Sequence, residues 1–209
     1  MALPALIEDS QRKWLFKVTA HSKEADLNLC LLGFFLGSGM TTLELCRVQV
    51  GDVITKSGEL SKCFAVRGDV ERDFYLANVD LKALVKRYAE KRRKDGDHPD
   101  YFQGHDPCAP FFTRTNGDAF NVKRRTTTAG NASYHCNALN NHVKRLLSDG
   151  GIERPSILSG RRTFAVRLKR HGVDVPTIHL MLGNKDLSTT YRLLDSDPVD
   201  MGAIAEMAF

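Results

Sequence analysis

The longest apolar stretch of the chain, Leu27 to Leu36, runs directly into Gly37-Ser38-Gly39, and this pairing limits the possible folds more than any other feature. The run is too short to span a bilayer. It reads instead as an apolar helix, buried in a core and interrupted by a turn signal. The amino-terminal MALPALIEDSQRKW lacks the basic-then-apolar order of a signal segment, so a cytoplasmic protein without membrane contact is expected. At 209 residues and 42% hydrophobic content, one core can be buried well with little room for a second full domain. The expectation is a single domain over residues 1–209, with a lead-in at 1–25 and a tail at 196–209.

Downstream, a second short helix begins near Thr42, and Val48 to Val53 reads as the entry to a strand. Between Gly51 and Leu76 the pattern is β-like, with Cys63, Ala65 and Phe74 to Leu76 alternating with polar residues, which predicts a small hairpin or three-stranded sheet. Val79 to Arg93 has helical spacing, and the charge run Lys91 to Lys94 reads as its solvated end. Asp95 to Asp106 is a loop, Pro110 to Thr113 a short strand, and Asn116-Gly117 a turn. The polar segment Lys123 to Ser133 leads into a helix from Tyr134 to Leu147. Helices are then expected over Arg162 to His171, Pro176 to Leu182 and Ser188 to Leu194, before an apolar tail, Met201 to Phe209. The class is α+β, mainly helical with a small antiparallel sheet, an order shared by folds of several functions.

Thirty Lys and Arg against 25 acidic residues give a net charge of +5, which leans toward a polyanionic partner without identifying one. Cys30, Cys46, Cys63, Cys108 and Cys136 form no CxxC pair, so reduced, mostly buried thiols are expected. His98 and His105 share a loop but lack a third ligand of suitable spacing. No metal and no cofactor is expected.

More specific words narrow the reading. Ser159-Gly160-Arg161-Arg162-Thr163-Phe164-Ala165-Val166-Arg167-Leu168, Gly172-Val173-Asp174, Leu182-Gly183-Asn184 and Leu187-Ser188-Thr189-Thr190 follow one another in order. In composition, order and spacing they resemble the second conserved box of the tyrosine recombinases, or phage integrases. Leu31 to Val53, with Gly39, Leu43-Glu44-Leu45 and Val50-Gly51-Asp52-Val53, is similar to the first box of that family. Phe111-Phe112 through Gly117 looks like its mid-domain hairpin. The resemblance implies the family's catalytic-domain fold and a DNA partner. About 25 residues precede the first box, so the chain resembles members without a separate amino-terminal core-binding domain.

The same resemblance implies how each catalytic role is filled. Family chemistry uses a tyrosine to attack a phosphate, cationic and hydrogen-bonding side chains to hold its oxygens, and a lysine to protonate the leaving oxygen. The first-box arginine falls on Thr41, and Arg47 is too far along to replace it. The lysine corresponds to Arg67, whose guanidinium is a poor proton donor; Lys62 is the alternative if the hairpin register differs. The histidine before the second arginine becomes Leu158, while Arg161 keeps the arginine position. The later histidine or tryptophan is Asn184, and the nucleophile's position holds Leu193. Tyr191 lies two residues earlier, about 200° around a helix. Groups that act as a unit are altered together, so DNA cleavage is not expected.

What remains suits binding. Arg161, Arg162, Arg67 and Asn184 are candidates for phosphate contacts, with pairing of Arg161 to Glu44 as the structural alternative. Lys123, Arg124 and Arg125 suit the DNA backbone, and Asn131, Ser133 and Tyr134 would enter a major groove from the first turn of a helix. The tail resembles the family's carboxy-terminal segment that packs on a neighbouring subunit, either a second copy or another recombinase, with folding back as the alternative. The reading is a DNA-binding transcriptional regulator or recombination accessory factor. Its rivals are a divergent active recombinase using Tyr191 and a protein-interaction module of the same fold.

Overall fold

A computed structural model describes residues 3–94, 104–126, 128 and 130–195. Helix α1 (Asp9–Thr19) opens the described chain, a helix not foreseen in the lead-in. It starts at a reciprocal cap in which Glu8 and Gln11 bond each other's backbone, and it buries Leu15. Helix α2 (Ala25–Gly37) is the buried apolar helix. Almost every residue from Leu27 to Leu36 is closed to solvent, as a helix apolar on all sides requires. It packs against α1, α5 (Val79–Lys94) and α7 (Ser159–Arg170).

After the Gly-Ser-Gly turn, α3 (Thr42–Arg47) begins at Thr41, whose hydroxyl accepts the Glu44 N–H while Glu44 Oε2 accepts the Thr41 N–H at 2.7 Å. The segment expected as a strand is instead a single helical turn, α4 (Val50–Val53), capped by Gln49 and Asp52. Strands β1 (Cys63–Val66) and β2 (Arg72–Tyr75) form an antiparallel hairpin with Val66 opposite Arg72. It is extended only by an isolated Ile54–Leu60 bridge rather than a third strand. The Pro110–Thr113 strand also reduces to isolated bridges, from Pro110 to Gln49 and from Thr113 to Ala119. Phe111 and Phe112 turn inward and join Phe34, Phe64, Phe74 and Tyr88 in an aromatic cluster. The run at the end of α5 is not simply solvated: Arg92 is buried on the carbonyls of Pro110 and Phe111, and Lys91 pairs with Glu24 at 3.0 Å.

The predicted helix from Tyr134 begins later. Strands β3 (Lys123–Thr126) and β4 (Ala132–His135) form a second antiparallel ribbon, and α6 (Asn137–Asp149) follows. Leu139, Val143, Leu146 and Leu147 of α6 enter the main core. Helices α7, α8 (Val175–Leu182) and α9 (Leu187–Leu194) make a smaller core from Ala165, Val166, Ile178, Leu182, Leu193 and Leu194. No described helix is long and apolar enough to cross a membrane. The tail expected at Met201 to Phe209 lies outside the described residues, as do His98 and most of the Asp95–Asp106 loop.

Candidate nucleic-acid interface

A cleft of about 420 Å³ gathers α3, the β1–β2 turn, β4, the start of α7 and the α8–α9 turn. Thr41, Leu158, Arg161 and Asn184 all line it, so residues far apart in sequence converge as the resemblance implies. Arg47 lines it as well, contrary to the expectation that it aims elsewhere. Its guanidinium sits 5.7 Å over the Tyr134 ring and donates to the Arg67 carbonyl at 3.2 Å. The last turn of α3 thus brings a cation into the same cleft that Thr41 lines.

The floor of the cleft is a closed ionic network. Glu44, 5% exposed, receives Arg72 Nη1 at 2.6 Å and Nη2 at 3.1 Å, with Arg161 Nη1 3.7 Å away. Burial alone would raise the Glu44 pKa. Hydrogen bonds and charge from Arg72, the Thr41 N–H and the charge of Arg161 outweigh it and leave the carboxyl below its usual range. Two glycines permit this closeness: a Cβ at Gly68 would collide with Glu44 Oε1, and one at Gly183 would lie 2.7 Å from Arg72 Nη1. Gly183 also ends α8 at φ 61°, a left-handed conformation that favours glycine.

Arg161 is committed inward. Nη1 donates to the Gly39 carbonyl at 2.9 Å, and Nη2 to the Leu182 carbonyl at 3.0 Å and to Asn184 Oδ1. Burial, with Arg72 adding like charge, lowers its pKa to about 10 although Glu44 opposes the shift. Both ends of the Asn184 amide are used, since Nδ2 donates to Thr190 Oγ1 at 2.9 Å. The structural alternative for Arg161, an ion pair with Glu44, is therefore present in the geometry. Arg162 does not share the cleft. Its Nη1 donates to the Pro4 carbonyl at 2.5 Å and its Nη2 to Asp195 O at 3.4 Å, so it ties the amino-terminal segment to the end of α9.

Arg67 stands at the β1–β2 turn but grips Asp52 with both terminal nitrogens, at 2.5 and 2.7 Å. The Asp52 hydrogen bond, and secondarily its charge, raises the guanidinium pKa further, away from proton donation. The register places Lys62 at the other end of β1, away from the turn. On α9, Leu193 is 6% exposed within the smaller core, whereas Tyr191 is 54% exposed and does not line the cleft. Thr189 lines it instead, as the half-turn offset between positions 189 and 191 requires.

Beside the cleft stands the β3–β4 ribbon. Lys123, Arg124 and Arg125 are all exposed and make no ion pair among the described residues. Arg124 pairs with Tyr134 and Arg125 with Ser133 across the strands. Tyr134 and His135 belong to both the ribbon and the cleft wall. Ser133 and Tyr134 thus present themselves from a strand, and Asn131 from its lead-in, instead of from a helix turn. A two-stranded ribbon is one of the elements a major groove admits. Sequence reasoning missed Arg72 and underrated Arg47.

The phage integrase family model matches residues 6–198. Among solved structures, a XerA recombinase aligns at TM-score 0.69 and 19% identity, over 99% of this chain and 63% of that one. A Tn1549 transposon integrase in complex with transposon right end DNA aligns at 0.67 and 16%, over 100% and 66%. A lambda integrase dimer bound to a COC' core site aligns at 0.61 and 12%, over 95% and 62%. This chain therefore spans slightly less than two thirds of the length of those proteins. No curated protein sequence is significantly similar to it. With its boxes converging on one cleft and the family model covering nearly all of the described chain, the protein belongs to the phage integrase family.

Proposed function

We propose that this chain binds duplex DNA through the β3–β4 ribbon and the rim of the adjoining cleft, and does not cut it. One observation carries the reading: three exposed cations on the ribbon, which make no ion pair among the described residues, adjoin a cleft whose own buried arginine is spent on protein acceptors. Exposed Lys and Arg neutralise phosphates and release counterions, the main source of affinity for DNA. Arg47, Tyr134 and Lys185 on the cleft rim extend the same surface. Loss of cleavage follows from the role assignments: the nucleophile position holds Leu193 in a closed core, Thr41 caps a helix, and Arg67 is held by Asp52. Losing one preorganised group of this type costs about 2.7–4 kcal/mol of transition-state stabilisation. The biological role we assign is transcriptional regulation or assistance to an active recombinase, with a second copy or that recombinase as companion on the DNA.

The experiment is selection and sequencing of genomic fragments retained by the purified chain at moderate salt. Enrichment of one discrete site, most informatively an inverted repeat, is the expected result. Absence of retention even at low salt would replace this reading with a protein-interaction module.

A further inference from the structure

Helix α3 and the β4–α6 segment pass each other in opposite directions, and two contacts fix their register. Thr42 Oγ1 donates to Asn140 Oδ1 at 2.5 Å, while Arg47 lies over Tyr134. Cys46 is one helical turn after Thr42, and Cys136 is one turn before Asn140. That geometry sets the two cysteines face to face, near enough for each thiol to act on the other's ionisation. Cys136 is the N-cap residue of α6 and lines the cleft while only 1% exposed, and Cys46 beside it is half-buried.

The pair is also electrically asymmetric. The hydrogen bond from Cys46 lowers the Cys136 pKa to about 6 against the opposing effect of burial, helped by the backbone N–H groups of Leu139 and Ala138 and the charge of Arg114. Cys46 is pushed up by the same hydrogen bond and by burial. Ionisation of the pair is thus favoured at Cys136 and disfavoured at Cys46.

We propose that Cys46 and Cys136 form an oxidative modification site, at which a peroxide converts the facing thiols into a disulfide that pins the end of α3 to the base of the β3–β4 ribbon. The Cys136 thiolate attacks a peroxide oxygen, the O–O bond breaks, and a Cys136 sulfenic acid forms as hydroxide leaves. The Cys46 sulfur then attacks the Cys136 sulfur, the S–O bond breaks, and the departing oxygen takes the Cys46 proton into water. Two thiols lose two electrons and one peroxide gains them. The bond-forming step is independent of DNA binding, so the two readings fail separately.

The test treats the full chain with hydrogen peroxide, digests it without reductant and maps the peptides by mass spectrometry. A linked Cys46–Cys136 peptide within one chain, released by dithiothreitol, is expected. It should persist in the Cys63→Ser/Cys108→Ser double variant, which removes the two exposed cysteines, and vanish in Cys136→Ser. Serine is a favoured N-cap residue, so Cys136→Ser should keep α6, and an unchanged melting curve would verify that. Sulfinic acid at Cys136 without a cross-link, or loss of the cross-link in the double variant, would overturn the proposal.

Discussion

Arg72 and Arg161 on the floor of the cleft and Lys123, Arg124 and Arg125 on the ribbon beside it carry the same kind of charge in opposite circumstances. The floor arginines are almost closed to solvent and surround one carboxylate with a set of backbone carbonyls. The ribbon cations are open and make no ion pair among the described residues. A buried guanidinium that already has its acceptors holds structure together, and diverting it to a phosphate would leave those acceptors and Glu44 unmatched. An exposed one loses only water and counterions when DNA arrives. The geometry of Arg161 is therefore compatible with a purely architectural role.

That contrast can be broken most forcefully at Glu44. Glu44→Ala leaves Arg72 and Arg161 facing each other in a buried site, and urea unfolding should show a loss of about 3–5 kcal/mol. A loss below about 1 kcal/mol would mean that the floor is not a closed network. At the ribbon the effects should invert. Replacing Lys123, Arg124 and Arg125 together with alanine should lower the salt slope of duplex binding by about 0.9 per lost phosphate contact, while stability changes by less than about 0.5 kcal/mol per site. Unaltered salt dependence would move the DNA surface elsewhere.

Acid sharpens the same comparison more gently. Because the folded Glu44 pKa lies below its ordinary value of 4.5, its contribution is fully present above that value and is lost as pH falls through the lower folded one. Thermal stability should therefore fall on acidification below about pH 4.5, with a shallower acid limb in Glu44→Gln. An identical limb in both proteins would assign the acid sensitivity to other carboxylates. The smallest effect belongs to Tyr191→Phe: the hydroxyl removed is on an exposed ring outside the cleft, so DNA affinity and melting temperature should be unchanged within error.

The order of the boxes and the convergence of Thr41, Leu158, Arg161 and Asn184 were legible because they depend on short words with strict spacing. The buried α2 was legible because Leu27 to Leu36, apolar apart from Asn28, leaves no face suited to solvent. The ribbon was not, since no residue of β3 is buried and period-two alternation arises only when one face meets a core. The helical turn at Val50–Val53 was mistaken for a strand because valines favour strands, and its Gln49–Asp52 cap was the overlooked signal. Arg72 escaped notice because its partners, Glu44 and the Met181 carbonyl, come from α3 and α8, and charge in a sequence does not reveal which cation will be buried.

The central claim is binding without strand cleavage, and a covalent-trap assay on the selected duplex tests it most directly. The duplex carries a nick beside the expected crossover position, so that any attack on phosphate leaves protein irreversibly attached, and products are resolved on a denaturing gel. The account predicts a salt-sensitive complex under native conditions and no attached protein after denaturation. A covalent adduct that disappears in Tyr191→Phe would contradict it and establish a working recombinase.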